Sequence, residues 1–313
     1  MRLLVSRALP DSVMEAARDR FDVTCRDTTR PMDLPECRAA LAEADVILPT
    51  LGDAFGAAAF GGDVRAKGLA NFGVGYNHID VPAARAAGLV VTNTPGAVTD
   101  ATADIAMTLI LMTARRAGEG ERLVRAGDWH GWHPTQMLGL HVTGKTVGIV
   151  GMGRIGQAIA RRCGAGFGME VVFWNRSPKA VDGARQLGSV AEVCAAADVV
   201  VMAVAATPET KHVMDQAALG AMRPHAILVN IARGDVVDET ALIDALARGA
   251  IGGAGLDVYE REPEVPAALI AMQNVTLLPH LGTAALEVRE AMGRMALDNA
   301  VAIAEGRDPP NPV

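Results

Sequence analysis

The chain has 313 residues, a length typical of two domains that each bury a core. Its formal net charge of -7, with no stripe rich in lysine and arginine, excludes a typical nucleic-acid-binding surface. The longest apolar stretch, residues 103–114, falls far short of the ~20 residues that cross a bilayer, and the N-terminus lacks a signal-peptide pattern. We therefore expect a cytoplasmic protein with no membrane partner.

Short apolar runs alternate with amphipathic segments through the first 98 residues. Strands are predicted at 3–5, 22–25, 46–49, 69–72 and 89–92, and helices at 11–20 and 82–87. This alternation is typical of βαβ units around a parallel sheet.

The pattern changes at Thr99, where a long helix is predicted to begin. It ends near residues 115–116, and its apolar positions recur at helical spacing: Ala103, Met107, Ile110, Leu111 and Ala114. A polar stretch at 127–139 that contains Trp129 and Trp132 then indicates a loop or arm.

A second βαβ series follows, with six parallel strands predicted at 146–150, 171–174, 199–204, 227–231, 254–257 and 275–278. A final helix has Val288, Met292 and Met295 on one face, and we expect it to pack on the first domain. The predicted fold class is α/β, with two doubly wound parallel-sheet domains. The expected division is a discontinuous first domain, 1–98 plus 285–313, and a second domain, 99–284, that includes an arm near 115–140.

A glycine-rich turn lies between the strand at 146–150 and a predicted helix at 155–163. Gly151 allows a tight turn, Gly153 lets the backbone approach a pyrophosphate, and Gly156 lets the helix pack closely on the sheet. The helix N-terminus, at Arg154 and Ile155, favours an anion. This strand–turn–helix context predicts a dinucleotide site.

Cofactor choice is indicated about 20 residues further on, where NAD-selective sites place an acidic residue on the ribose. Asn175 occupies that position, so no carboxylate would repel a 2′-phosphate. Arg176 and Lys179 can pair with such a phosphate, and Ser177 can donate a hydrogen bond. A solvated basic loop is the alternative, but the missing acid favours NADP over NAD.

Three residues that suit hydride transfer to a 2-keto acid follow three strands of the second series. Arg233 can bind a carboxylate bidentately and polarise the carbonyl. His280 can deliver a proton, and Glu262 would orient its imidazole and favour the protonated form. Each residue alone has an ordinary structural explanation, but their joint placement at strand ends predicts a catalytic site. The four cysteines and the loosely spaced histidines predict no bound metal.

At these residues the sequence resembles the D-isomer specific 2-hydroxyacid dehydrogenase family, in particular its glyoxylate/hydroxypyruvate reductase branch. The resemblance covers nearly the whole chain. The matching segments are 73–80 (GVGYNHID), 93–96 (NTPG), 102–104 (TAD), 151–156 (GMGRIG), 230–234 (NIARG), 255–258 (GLDV), 262–263 (EP) and 279–282 (PHLG).

The resemblance implies two Rossmann/flavodoxin-like domains: a flavodoxin-like substrate domain formed by 1–98 plus 285–313 and an NAD(P)-binding Rossmann domain formed by 99–284, with a dimerisation arm near 115–140. It also implies an active site in the cleft between the two domains, hinge closure and a homodimer. It implies that backbone groups of Val74 and Gly75 hold the substrate carboxylate, together with Arg233 and His280, and that Trp132 reaches the partner subunit's site. Asp257 is expected near the nicotinamide amide. Further cofactor contacts are expected from Ala205, Pro208, Ile231, Ala232, His280 and Gly282.

The sequence thus predicts an NADP-preferring reductase of small 2-keto acids, with glyoxylate or hydroxypyruvate as substrate. Two alternatives remain open. One is a broad-range D-2-hydroxyacid dehydrogenase, which the pocket formed by residues 51–60 and the arm would decide. The other is a non-catalytic NAD(P)H-sensing protein of the corepressor kind, because a fold alone does not establish function.

Overall fold

The computed structural model describes all residues from 1 to 313. The chain forms two compact units, one made of Met1–Val98 and Thr283–Val313 and the other of Thr99–Gly282. Each unit is an α/β structure built on a parallel sheet, as the sequence predicts. No helix has the length and apolar character needed to cross a membrane.

The first unit contains a five-stranded parallel sheet with the order β2-β1-β3-β4-β5. Its strands are β1 (Arg2–Val5), β2 (Asp22–Cys25), β3 (Val46–Leu48), β4 (Gly68–Ala70) and β5 (Val90–Thr92). Its helices are α1 (Asp11–Arg18), α2 (Leu34–Glu43), α3 (Val81–Ala86) and, at the C-terminal end of the chain, α11 (Leu286–Glu305).

Helix α11 belongs to the first unit because its apolar face completes that unit's core. Ala296, Leu297, Ala300 and Ile303 are buried in the same cluster as residues of β1, β3 and α1. Helix α11 therefore closes the core of the first unit against α1 and the five-stranded sheet.

The second unit contains a seven-stranded parallel sheet with the order β12-β11-β10-β9-β6-β7-β8. Its strands are β6 (Thr146–Val150), β7 (Glu170–Trp174), β8 (Ala184–Gln186), β9 (Val199–Met202), β10 (Ile227–Asn230), β11 (Gly253–Leu256) and β12 (Val275–Leu277). Its helices are α4 (Thr99–Ala114), α5 (Ala117–Arg125), α6 (Arg154–Arg161), α7 (Val190–Ala196), α8 (Gln216–Ala221), α9 (Glu239–Ala247) and α10 (Ala267–Ala271).

The expectation of six strands in this sheet is wrong, because β8 adds a seventh at the edge. Its three residues, Ala, Arg and Gln, are not fully buried. The segment therefore lacks the alternation of apolar and polar residues that predicts a strand. It is recognisable only by its parallel pairing with β7, in which Phe173 lies opposite Gln186.

Helix α5 was also missed, since the residues around 115–140 were expected to form an arm. None of its residues is buried, and ion pairs between Arg116 and Glu119 and between Glu121 and Arg125 join side chains three and four positions apart. The segment that follows it, through the two tryptophans, has no regular structure, as expected.

The buried carboxylate of Asp198 joins three segments at the amino-terminal edge of the seven-stranded sheet. It accepts hydrogen bonds from the Thr146 backbone amide at 2.9 Å, Arg223 Nη1 at 2.9 Å and His225 Nε2 at 2.7 Å. Burial alone would raise the pKa of Asp198, but these partners outweigh it and lower the pKa below the ordinary value of 3.8.

We predict that Asp198→Asn lowers the free energy of unfolding by ~1–3 kcal/mol at pH 7, because the charged acceptor of these bonds is lost. Because folding depresses this pKa, the carboxylate stabilises the protein above its unfolded-state pKa, and the effect is lost as the pH falls through the folded-state value. The deficit measured by urea unfolding should therefore persist from neutral pH to about pH 5 and shrink below about pH 4. Asp182→Asn, at an exposed position, is the control and should leave stability unchanged.

Candidate active site and cofactor site

The turn between β6 and α6 depends on three glycines. Gly151 has a φ of 102°, and a Cβ there would lie 2.7 Å from the backbone of Ala203. A Cβ on Gly156 would lie 2.1 Å from the carbonyl oxygen of Gly151. The tight turn at Gly151 and the close helix packing at Gly156 therefore have a visible steric basis.

Gly153 differs from the other two glycines because a Cβ there would meet nothing within 4 Å. It precedes α6, so the amides of Arg154, Ile155 and Gly156 come before the first hydrogen bond within the helix. Open space beside a helix N-terminus fits the pyrophosphate of a dinucleotide. The residues present thus fit an NAD(P) cofactor, which would supply the hydride when bound.

Asn175 lies just after β7 and joins the following loop to the glycine turn. Its Oδ1 accepts a hydrogen bond from the Met152 amide at 3.3 Å, and its Nδ2 donates to the Ser177 carbonyl at 3.0 Å. The residue after β7, where NAD-selective sites carry an acid, is thus a neutral amide.

The two basic residues of this loop differ in their surroundings. Lys179 Nζ donates to the Met152 carbonyl at 2.8 Å, so the lysine is tied to the glycine turn. Arg176 is exposed and forms no hydrogen bond with the protein. Arg176 is therefore the cation that is free to meet a ligand directly.

Arg233 follows β10 in a loop shaped by Asn230. The Asn230 Nδ2 donates to the Arg233 carbonyl at 2.8 Å, and its Oδ1 accepts from the Ala232 amide at 3.0 Å. The guanidinium donates to the Ala232 carbonyl at 2.7 Å. Burial lowers the pKa of Arg233, an effect that the carboxylates of Glu262 and Asp235 partly oppose.

Glu262 and His280 form an ion pair, with 2.9 Å between Oε2 and Nδ1 and with 30% and 29% of the two side chains exposed. The Tyr259 amide donates to the other carboxylate oxygen of Glu262 at 3.1 Å. Burial would raise the pKa of Glu262, but the hydrogen bond and charge of His280 outweigh it, so the pKa is lowered. An ionised carboxylate only accepts hydrogen bonds, which assigns the Nδ1 proton to His280 and leaves Nε2 for another partner.

Asp257 holds the backbone that carries His280. Its carboxylate, buried at the end of β11, accepts hydrogen bonds from the Leu281 amide at 2.6 Å and the Gly282 amide at 2.8 Å. Its carbonyl accepts from the His280 amide at 2.9 Å. His280 has a φ of 55°, a left-handed conformation that few residues other than glycine adopt.

In the first unit, Val74 and Gly75 lie in the loop after β4. Asn71 Nδ2 donates to the carbonyls of Gly73 at 3.0 Å and Gly75 at 3.1 Å, and Asn93 Nδ2 donates to that of Val74 at 2.9 Å. The amides of Val74 and Gly75 donate to no protein acceptor. They are available to bind an anion.

The other predicted residues are distributed as follows. Ala205 and Pro208 lie after β9, where the Ala205 carbonyl accepts a 2.7 Å bond from Thr210. Ile231 and Ala232 are buried beyond β10, and the Gly282 carbonyl accepts from Thr102 at 3.1 Å. Trp132 is 79% exposed in the arm. No group of three or more histidine, cysteine or acidic residues is arranged to hold a metal.

Several residues that shape the site are not among the predicted site residues. Asn71, Asn93 and Asn230 hold loops, and Tyr259 donates from its hydroxyl to the Leu278 carbonyl at 2.9 Å. A polar residue at the end of a buried strand was the available signal for Asn230. The same signal was available for Asn71 and Asn93, which directly follow β4 and β5. The bond from Tyr259 to Leu278 joins residues 19 positions apart and leaves no local pattern.

The fold and this set of residues define a dinucleotide-dependent oxidoreductase. The family profile "D-isomer specific 2-hydroxyacid dehydrogenase, NAD binding domain" matches residues 107–282. The chain belongs to the D-isomer specific 2-hydroxyacid dehydrogenase family and is an NAD(P)-dependent enzyme of that family, as the sequence predicts.

Relatives match the chain over nearly its full length. A glyoxylate reductase from Thermococcus kodakarensis is 41% identical, over 99% of this chain and 95% of the relative. A glyoxylate reductase from Pyrococcus furiosus is 40% identical, over 99% of this chain and 94% of the relative.

Solved structures agree with this assignment. A protein from Thermus thermophilus superimposes with a TM-score of 0.94 at 42% identity, covering 100% of both chains. An NADPH-dependent glyoxylate/hydroxypyruvate reductase from Sinorhizobium meliloti, solved with NADP and malonate, gives a TM-score of 0.90 at 35% identity, covering 100% of this chain and 96% of the other.

We predict that Glu262→Gln lowers kcat/KM for keto-acid reduction. The lowered pKa of Glu262 keeps the carboxylate charged at every assay pH near neutrality, where it accepts the hydrogen bond from His280 Nδ1. The neutral amide is a weaker acceptor and orients the ring less firmly, so kcat/KM should fall by ~10-fold or more. Glu264→Gln, an exposed acid two residues away, should leave kcat/KM unchanged. A wild-type kcat/KM in Glu262→Gln would contradict the assigned role.

Proposed function

We propose that the protein is an NADPH-preferring reductase of small 2-keto acids, with glyoxylate or hydroxypyruvate as substrate. The observation that carries this proposal is the 2.9 Å Glu262–His280 pair, which follows β11 and β12 while Arg233 follows the neighbouring strand β10. A carboxylate-binding cation, a proton donor and an orienting acid are the groups that keto-acid reduction needs.

In the proposed reaction, His280 Nε2 donates the proton to the oxygen of the reduced carbonyl. The Nδ1 bond to Glu262 fixes the orientation of the ring and stabilises the imidazolium before transfer. Glu262 itself remains ionised and exchanges no proton. In the direction of oxidation, the same Nε2 would accept the proton from the hydroxyl group.

Arg233 is proposed to bind the substrate carboxylate and to polarise its keto oxygen. Its burial strengthens both interactions, because charges attract more strongly where water is excluded. The amides of Val74 and Gly75 are proposed to hold the same carboxylate, which is supported by their lack of protein acceptors.

NADP preference is supported by Asn175, Ser177 and the exposed Arg176. Asn175 leaves the ribose position without a negative charge, and Arg176 offers a guanidinium that suits phosphate. The Sinorhizobium relative, described as NADPH-dependent, supports the same choice.

We also propose that the protein works as a cytoplasmic homodimer. The arm exposes Trp129, Trp132 and Leu138, apolar side chains of the kind that interfaces cover. Trp132 is proposed to reach the partner subunit's substrate site. All four cysteines are free thiols, which suits a reducing compartment.

The direct test follows NADPH and NADH oxidation with glyoxylate, hydroxypyruvate, pyruvate and phenylpyruvate. We expect the highest kcat/KM with NADPH and one of the first two acids. Arg233→Ala should reduce kcat/KM by ~100-fold or more, since a charged hydrogen-bonding partner of the substrate is removed.

Other outcomes would distinguish the alternatives. A preference for phenylpyruvate would indicate a broad-range or aromatic dehydrogenase. The absence of turnover with every acid, together with tight NADPH binding, would indicate a sensing protein. Activity of Arg233→Ala close to that of the wild type would rule out the mechanism.

Asn175→Asp is predicted to reverse the cofactor preference. A carboxylate at this position can accept a ribose hydroxyl of NADH but repels the 2′-phosphate, with a cost of about 1–4 kcal/mol for charges ~4 Å apart. KM for NADPH should therefore rise about tenfold or more while KM for NADH falls. Gln216→Glu adds the same charge at an exposed site on α8 and should change neither value.

A further inference from the structure

The side-chain amide of Gln186, the last residue of β8, is bonded entirely to the loop that follows β7. Its Nε2 donates to the carbonyls of Asn175 at 3.1 Å and Ser177 at 3.2 Å. Its Oε1 accepts from the Lys179 amide at 2.8 Å. One side chain therefore fixes three backbone positions over five residues of an otherwise exposed loop.

The other anchors of this loop connect it to the glycine turn. At one end of the loop, Asn175 accepts a hydrogen bond from the Met152 amide. At the other end, Lys179 donates one to the Met152 carbonyl. Between these anchors, Arg176 and Ser177 are exposed, and the hydroxyl of Ser177 is 3.3 Å from Asn175 Nδ2. Gln186 is the only residue outside the loop that holds its middle.

We propose that Gln186 is a specificity-determining positioning residue that holds Arg176 and Ser177 ready for the 2′-phosphate of NADP. This proposal rests on the NADP preference proposed above. Gln186 itself would not touch the cofactor, and it acts through the backbone of Asn175, Ser177 and Lys179.

The physical basis is preorganisation. A mobile loop loses conformational freedom when its side chains close on a phosphate, and this loss weakens binding. A loop already fixed by three hydrogen bonds loses less. The 2′-hydroxyl of NAD needs neither Arg176 nor Ser177, so its binding should depend little on Gln186.

The charge of Arg176 also acts on a neighbouring carboxylate, that of Glu209. Hydrogen bonds from Thr207 and from its own backbone amide, together with the charge of Arg176, lower the pKa of Glu209. Glu209 is thus an ionised competitor for the same guanidinium.

The test compares the wild type with Gln186→Met, which keeps the length of the side chain but forms none of these bonds. Isothermal titration measures binding of adenosine 2′,5′-bisphosphate and of adenosine 5′-monophosphate to the full-length protein. We expect the affinity for the bisphosphate to fall about tenfold, which corresponds to the cost of immobilising one or two newly mobile side chains on binding. The affinity for the monophosphate should stay unchanged. In kinetics, KM for NADPH should rise by a similar factor while kcat, and KM for NADH, remain as in the wild type.

The control is Gln216→Met, at an exposed position on α8. It should leave both affinities unchanged. An equal loss for both nucleotides in Gln186→Met would show a general structural role, and no loss would show no role; either result overturns the proposal. If the wild type itself does not favour the bisphosphate, the NADP preference is what fails. If the wild type and Gln186→Met favour it equally, only the role of Gln186 is wrong.

Discussion

The buried carboxylate of Asp257 is the constraint on which the proposed catalytic arrangement depends. It receives two backbone amides immediately after His280 and so fixes that residue in a left-handed conformation. Burial raises the pKa of Asp257, which means that ionising it in the folded protein is unfavourable compared with ionising it in water. The hydrogen bonds from the Leu281 and Gly282 amides partly offset this cost, because they stabilise the ionised carboxylate. The same two bonds hold the backbone that carries the proposed proton donor, His280.

The predicted cofactor-binding residues and the proposed catalytic residues lie at the carboxyl edge of the seven-stranded sheet, on opposite sides of one point in the strand order. Strand β6 lies between β7 and β9, so the chain reverses direction across the sheet at this point, where ligands of doubly wound folds bind. On one side, the loops after β6 and β7 provide the glycine turn and the residues around Asn175. On the other side, the loops after β10, β11 and β12 provide Arg233, Glu262 and His280. The contact of Gly234 with Tyr259, where a Cβ would lie 1.9 Å from a carbonyl carbon, keeps two of these loops together.

The sequence predicted most strands and the three catalytic candidates because each has a local signal. Buried strands are apolar runs, glycine spacing marks the turn, and polar residues stand directly after strands. Strand β8 and helix α5 were missed because neither buries an apolar face. The bonds from Gln186 to the loop after β7 and from Asn93 to Val74 could not be predicted, since they join separate segments that only the fold brings within reach. Local patterns therefore predict which residue types stand at the site, whereas the contacts that orient them require the structure.

Lys179 shows how this distinction affects the interpretation of cofactor choice. Its charge made it a predicted phosphate ligand, yet its Nζ donates to the Met152 carbonyl and joins the loop to the glycine turn. An ammonium group has three donors, so this bond leaves two for a ligand while it limits where the group can lie. In the proposed site the lysine would then contribute a positive field near the 2′ position, and Arg176 would be better suited to direct bidentate contact. Selectivity for a phosphate at this loop would accordingly arise from one exposed cation, one tethered cation and the absence of an acid at Asn175, with Gln186 setting the geometry that lets them act together.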